Sequence, residues 1–132
     1  MGTTKTAAQL VAEAKQRVEN LTAEQVAAEM AQGQALLVDL REPNERAQSG
    51  SIREAIHAPR GMLEFYADPS SPYHRPELEP SRRVILHCAS GGRSALAAET
   101  LKQLGYRDVA HLDGGITAWK AAGQPVEGGQ GT

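Results

Sequence analysis

The only cysteine of the chain, Cys88, follows the apolar run Val84-Ile85-Leu86-His87 and opens the loop Ala89-Ser90-Gly91-Gly92-Arg93-Ser94, after which Ala95-Leu96-Ala97-Ala98 begins a helix-forming stretch. A strand that ends in a thiol, a glycine-bearing loop and a helix start together make a pocket for an anion beside a nucleophile. The first backbone N–H groups of a helix lack intrahelical partners and carry the positive end of its dipole. A loop curled over them can therefore hold a thiolate, persulfide, phosphate or sulfate. The same field, with Arg93, favours the thiolate form of Cys88, which is the form that acts as a nucleophile. Gly91 and Gly92 let the loop turn its amides inward, because glycine reaches positive φ and allows close approach of backbone to a ligand. Ser94 suits an N-cap or a hydrogen-bond donor to sulfur. The competing reading is a small buried cysteine that ends a core strand, with glycines that only make a turn. The glycines, Arg93 and the helix start, taken together, favour the functional reading.

These residues need a scaffold, and the chain is long enough to supply one. Its 132 residues fit a single domain with a core that needs no disulfide staples, and one cysteine cannot form an internal disulfide. A reducing cytoplasm is the expected compartment. The formal charge of −2 gives no basic footprint, so nucleic acid is not an expected partner. The N-terminus lacks the apolar core of a signal peptide and no segment approaches the length of a membrane span, so a soluble protein without a membrane partner is expected.

Apolar spacing from Ala7 to Glu19 predicts an amphipathic helix, read as an N-terminal arm over residues 1–20. Thr22, with Gln25 three residues on, caps a second helix from Ala23 to Ala31 that Gly33 ends. Ala35 to Leu40 is almost continuously apolar, as a strand covered on both faces should be. Pro43 opens a short helix before Ser49-Gly50, and Ala55 to Ala58 makes another strand, closed by Pro59. Arg60 to Ser81 is a proline-rich excursion with one helical turn near Met62 to Tyr66. It reads equally as a functional lid or a mobile connection. The strand Val84 to His87, the helix Arg93 to Leu104, the strand Asp108 to Leu112 and the helix Ile116 to Ala122 follow. Residues 127–132 are a glycine-rich tail expected to be flexible. Strand and helix alternate, which predicts a parallel sheet with helices on both faces. Ligands of such sheets lie at the carboxyl ends of the strands, where Cys88 converges with Asp39 to Arg41, Pro59 to Arg60 and Asp113 to Gly115.

The segments Leu37-Val38-Asp39-Leu40-Arg41-Glu42-Pro43-Asn44-Glu45, Gly50-Ser51-Ile52, Ala55-Ile56-His57-Ala58-Pro59, Cys88 to Ser94, and Leu112-Asp113-Gly114-Gly115 with Trp119 resemble a single-domain rhodanese-like sulfurtransferase. The resemblance covers residues 21–126. It implies an α/β fold, a five-stranded parallel sheet flanked by helices, with Cys88 as the catalytic residue carrying a transferable sulfur as a persulfide. The implied substrate-binding loop is Ala89, Ser90, Gly91, Gly92, Arg93 and Ser94, and no cofactor is expected. The implied partners are a small-molecule sulfur donor, thiosulfate or a persulfide, and a thiol or cyanide-like acceptor, with a protein sulfur acceptor as a further class. The protein is expected to be a monomer or a homodimer. Phosphatases with a similar cradle place five residues between cysteine and arginine, whereas Cys88 and Arg93 are separated by four. The shorter loop favours sulfur transfer over phosphoester or arsenate chemistry. A catalytically idle interaction module is the other alternative, disfavoured because the cysteine is retained.

The chain departs from the resemblance in two places. Many family members carry a basic residue directly after the cysteine, where this chain has Ala89 and Ser90, and the family's Gly-His-Ile reads Gly50-Ser51-Ile52. The first leaves the donor open, and the second is read as structural drift. Asp39 is expected to be buried against an arginine and to act as scaffold. Arg93 either orients the donor or clamps the loop, and Arg60 sits on the rim, where it can attract anions. His57, His74, His87 and His111 show no paired ligand spacing, so no metal site is expected. His87 should face away from Cys88, since neighbours on a strand point to opposite faces. His111 lies near the mouth without an expected catalytic role, and Leu112 and Trp119 are expected in the core.

Overall fold

Two capping boxes start the first helices. The Thr6 hydroxyl accepts from the Gln9 amide and the Gln9 side chain accepts from the Thr6 amide, opening α1, Ala7–Arg17; Thr22 and Gln25 do the same for α2, Ala23–Gln32. Gly33 ends α2 in the left-handed conformation. Between these helices lies β1, Glu19–Leu21. The computed structural model describes residues 4–129. Its further elements are β2 Leu36–Asp39, α3 Pro43–Ser49, β3 Ile56–His57, a 3-10 turn Arg60–Met62 leading into α4 Leu63–Ala67, β4 Val84–His87, α5 Gly92–Gln103, β5 Val109–Leu112 and α6 Gly115–Ala121.

The strands form one parallel sheet in the order β1-β5-β4-β2-β3. Parallel neighbours need crossovers, and the helices that supply them cover both faces, which is why β2, β4 and β5 are apolar along their whole length apart from Asp39, His87 and His111. Alternation along β4 sends Val84, Leu86 and Cys88 into one core with Leu63 and Ala67 of α4 and Ala97, Ala98 and Leu101 of α5. Ile85 goes to the other core, with Val26 of α2 and Ile116 and Trp119 of α6. The sheet places Cys88 at the carboxyl end of a central strand, fixed by neighbours on both sides.

The strand that the apolar pattern did not reveal is β1. Two of its three residues are exposed, and it is specified by pairing with β5, Glu19 opposite Ala110 and Asn20 opposite His111. The line drawn between residues 20 and 21 therefore falls inside a strand, and α1 packs along α5. The excursion after Pro59 is held down: Leu63, Ala67 and Leu78 have no exposed surface, and the Tyr106 hydroxyl donates to the Ala67 carbonyl at 2.8 Å. Of the tail, Glu127 makes an antiparallel bridge with Ser51, while the flexibility expected of residues 130–132 falls outside the described residues. Among the described residues no helix is long and apolar enough to cross a membrane.

Candidate active site

Cys88 is 1 % exposed, and its Sγ accepts the backbone N–H of Gly91 at 3.2 Å. That bond needs the chain to double back at once, and it does so through Gly91 at φ +106°, the N-cap of α5. A Cβ on Gly91 would also stand 3.0 Å from the Gly114 amide nitrogen. Gly92, read from the sequence as a second inward-turning residue, instead has ordinary helical backbone as the first residue of α5. The helix thus begins one residue earlier than expected, and Ser94 is not its N-cap. Ser94 lies in the first turn, fully buried, with Oγ 3.6 Å from Cys88 Sγ. The first bond within α5 runs from the Ala95 amide to the Gly91 carbonyl at 3.2 Å, so the amides of Gly92, Arg93 and Ser94 precede it as the free donors of a helix start.

The other side of the loop is fastened to α6. The Ile116 amide donates to the Cys88 carbonyl at 2.9 Å and the Thr117 amide donates to the Ala89 carbonyl at 3.2 Å. Their approach runs over Gly115, at φ +59°, where a Cβ would lie 2.5 Å from the Cys88 and Ala89 carbonyl oxygens. Ala89 is half-buried and Ser90 exposed at the open rim. Beside Ala89 lies a cleft of about 350 Å³, lined by Arg41, Asn44, Glu45, Gln48 and Thr117 among others.

Arg93 is turned toward α3. Its two terminal nitrogens donate to the two Glu45 oxygens, each at 2.8 Å, a bidentate pair across the cleft's inner edge. Glu45 Oε2 also accepts from the Glu42 amide at 2.9 Å. The Arg93 bond holds the Glu45 carboxyl down at about 2, and Glu45 in turn raises Arg93 above the ordinary arginine range. Glu45 was not singled out from the sequence. Arg60 is paired with Glu64 at 2.9 Å.

Behind the loop, Asp39 and Arg41 are both buried and joined by two side-chain bonds of 3.0 and 2.9 Å, with Arg46 adding a third contact to Asp39 at 3.1 Å. Burial alone would raise the Asp39 carboxyl, but the Arg41 bonds outweigh it and hold the group ionised below its usual range. Arg41 also donates to the Gly50 carbonyl at 2.8 Å. Asp39 is scaffold, tying β2 to α3 and to the turn after it. His87, fully buried, has Nε2 3.8 Å from Asp39 Oδ2, on the face opposite the Cys88 core. Burial keeps it neutral.

His111, which sequence reasoning left without a role, is also fully buried, with Nδ1 2.8 Å from Ser94 Oγ and Nε2 2.7 Å from Asn20 Oδ1. Burial pushes it down to about 4. A histidine kept neutral by the fold is protonated more readily in the unfolded chain, so stability is full above about pH 6.5 and falls as pH drops toward 4. The loss from this one group is roughly 3 kcal/mol. Urea unfolding at pH 7, 5 and 4 should show it, and His111→Phe should remove that part of the acid dependence. An unchanged dependence in the variant would assign the acid loss to other groups. Among the described residues no set of three or more His, Cys, Asp or Glu side chains is placed to hold a metal ion.

A family model described as Rhodanese-like domain matches residues 22–122. The chain is 40 % identical over 91 residues to a sulfurtransferase of Allochromatium vinosum, covering 69 % of this chain and 77 % of that one. Among solved structures it is similar to a protein of unknown function from Rhodopseudomonas palustris for which tyrosine phosphatase activity was suggested, with TM-score 0.89, 38 % identity and coverage of 96 % and 98 %. It is also similar to a thiosulfate sulfurtransferase from Pseudomonas aeruginosa, with TM-score 0.73, 34 % identity, and coverage of 92 % of this chain and 22 % of that one.

Proposed function

The chain belongs to the rhodanese-like domain family, and from that membership we propose that it moves a sulfane sulfur from thiosulfate or a persulfide to a thiophilic acceptor through a persulfide on Cys88. The observation that carries this reading is the seat of Cys88: its sulfur lies under the Gly91 amide at the head of α5, with four residues between it and Arg93. In the loading step the Cys88 thiolate attacks the outer sulfur of thiosulfate, the S–S bond to the sulfonate breaks, and sulfite leaves with the electron pair. The new Cys–S–S⁻ carries the charge on its terminal sulfur, within range of the free amides at the start of α5. An acceptor such as cyanide or a thiolate then takes that sulfur and returns Cys88 to the thiolate. Ala89, Ser90, Gly91 and Gly92 shape the loop, Ser94 lies against the sulfur, and Arg93 braces α5 on Glu45 while keeping positive charge near the loop.

The name of the Rhodopseudomonas palustris protein raises phosphoester chemistry as a second reading. Against it stand the four-residue spacing and the engagement of both Arg93 terminal nitrogens with Glu45, which leaves that guanidinium without a free fork for phosphate. Intact mass is the test. Thiosulfate or a low-molecular-weight persulfide should add one sulfur atom to the protein, and subsequent cyanide should remove it as thiocyanate. No gain with either donor, or turnover of an aryl phosphate in its place, would sink the proposal.

A further inference from the structure

Cys88 Sγ has two hydrogen-bond neighbours of opposite sense: the Gly91 amide donates to it at 3.2 Å, whereas the direction of its bond to Ser94 is fixed by the protein and set against a charged sulfur. Asn20 is the starting point. Its Nδ2 donates to the carbonyls of Lys15 at 2.9 Å and Val18 at 3.1 Å, which commits its Oδ1 to the other side as an acceptor. His111 Nε2, 2.7 Å from that Oδ1, must therefore carry the ring proton, and Nδ1 of the neutral ring is left as an acceptor. Ser94 Oγ is 2.8 Å from Nδ1 and supplies the proton; its other acceptor, the Gly91 carbonyl, is farther at 3.3 Å and likewise directs the hydroxyl hydrogen away from sulfur. What Ser94 presents to Cys88 Sγ, 3.6 Å away, is an oxygen lone pair. A thiol can donate to that lone pair, and a thiolate cannot.

We propose that Asn20, His111 and Ser94 form a directed hydrogen-bond chain that opposes charge on Sγ itself and so favours the state in which the negative charge lies on the transferred sulfur. To charge Sγ, the site must either face an anion with a lone pair or swing the Ser94 proton to sulfur and strand the buried His111 Nδ1 without a donor. Both are unfavourable. In the persulfide, Sγ is a neutral, two-bonded sulfur and the charge sits one atom further out, so the same lone pair opposes it less. This last step alone rests on the sulfur-transfer reading. Ser94, His111 and Asn20 are positioning residues: the charge preference reaches the sulfur through Ser94, and Asn20 acts only by fixing the ring tautomer.

The charged groups around the chain are few. Lys15 of α1 and Asp113 after β5 act on His111 with opposite sign and are paired with each other at 2.9 Å. Arg93, with Glu45 behind it, is the charge acting on Cys88. Burial holds His111 neutral down to about pH 4, so the chain keeps its direction across the working range.

The test is alkylation of Cys88 by iodoacetamide, which reads the thiolate share without requiring any sulfur transfer. His111→Phe removes the nearer acceptor and leaves only the longer contact to the Gly91 carbonyl at 3.3 Å, so the Ser94 proton can turn to an anionic sulfur and the alkylation rate at pH 7 should rise about tenfold, with rates converging near pH 10. His111→Asn puts an oxygen where Nδ1 was and should restore the slow rate. A Phe variant that alkylates at the wild-type rate or more slowly overturns the proposal. Should His111→Phe fail to fold, 15N NMR of the wild-type imidazole decides: the Nε2–H tautomer supports the chain, and the Nδ1–H tautomer overturns it. At a fixed thiosulfate-to-sulfite ratio the loaded share should fall in His111→Phe. Faster alkylation with no loading of either protein would leave the chain standing and remove the sulfur-transfer reading instead.

Discussion

Cys88→Ser is expected to abolish sulfur transfer, with thiocyanate formation from thiosulfate and cyanide falling at least about a thousandfold, to the background of the uncatalysed mixture. Serine fits the space and can still accept the Gly91 N–H that reaches Sγ at 3.2 Å, so the fold should be retained. What it lacks is chemical. A hydroxyl is almost wholly protonated at neutral pH, and an oxygen nucleophile forms no stable bond to a sulfane sulfur that a thiophile could later reverse. Thermal unfolding of the variant within a few degrees of wild type, together with lost turnover, would place the defect in the reaction and not in the scaffold. Retained turnover would mean that sulfur passes through some other group, and the chain has no second cysteine to receive it.

The geometry of the Cys88 loop was legible because its signals are local. A strand, a thiol, a positive-φ glycine and a helix start lie within a dozen consecutive residues, and each imposes its own composition on the sequence. The same holds for α2, whose Thr22 and Gln25 box and Gly33 stop stand where the pattern put them. The five-stranded parallel sheet also agrees with the resemblance, yet one of its strands left no trace in the apolar pattern. Glu19–Leu21 is three residues long on a sheet edge, with Glu19 and Asn20 exposed, so burial imposed no alternation along it. That blind spot hid Asn20, and with it the fixed tautomer of His111. The interaction of residues 20, 94 and 111 is set by which strands and helices become neighbours, and no spacing along the chain encodes it.

Glu45 escaped notice for a related reason. On its own helix it reads as an acidic residue suited to a first turn, where it does accept the Glu42 amide. Its bidentate hold on Arg93 spans 48 positions and exists only because α3 and α5 both start at the carboxyl edge of the sheet. The local rule and the tertiary role choose the same residue, so the second is masked by the first. Asp39 and Arg41 were easier: two charges inside an apolar strand boundary must find each other or leave the core, and in the structure they are joined at 2.9 and 3.0 Å.

Gly115→Ala is expected to cost about 2–5 kcal/mol and to disable the loop at the same time. Two separate terms add. Alanine at φ +59° sits in the left-handed region, which costs about 1–2 kcal/mol relative to glycine. Its Cβ would then stand 2.5 Å from the carbonyl oxygens of Cys88 and Ala89 and from the Ala89 carbonyl carbon, all of them backbone, so no side chain can turn aside to relieve the contact. Either α6 or the loop must shift, at an overpacking cost of about 1–3 kcal/mol. The shift breaks the bonds from Ile116 and Thr117 that hold the two loop carbonyls at 2.9 and 3.2 Å. Gly33→Ala is the matched control, since Gly33 has φ +75° but a Cβ there would meet nothing within 4 Å, and it should show the backbone term alone. Urea unfolding of both variants separates the two terms. Equal losses would mean that α6 does not press on the Cys88 loop, whereas an excess of about 1–3 kcal/mol at Gly115, with sulfur loading lost only there, would make this close approach the brace that keeps Cys88 under its amide.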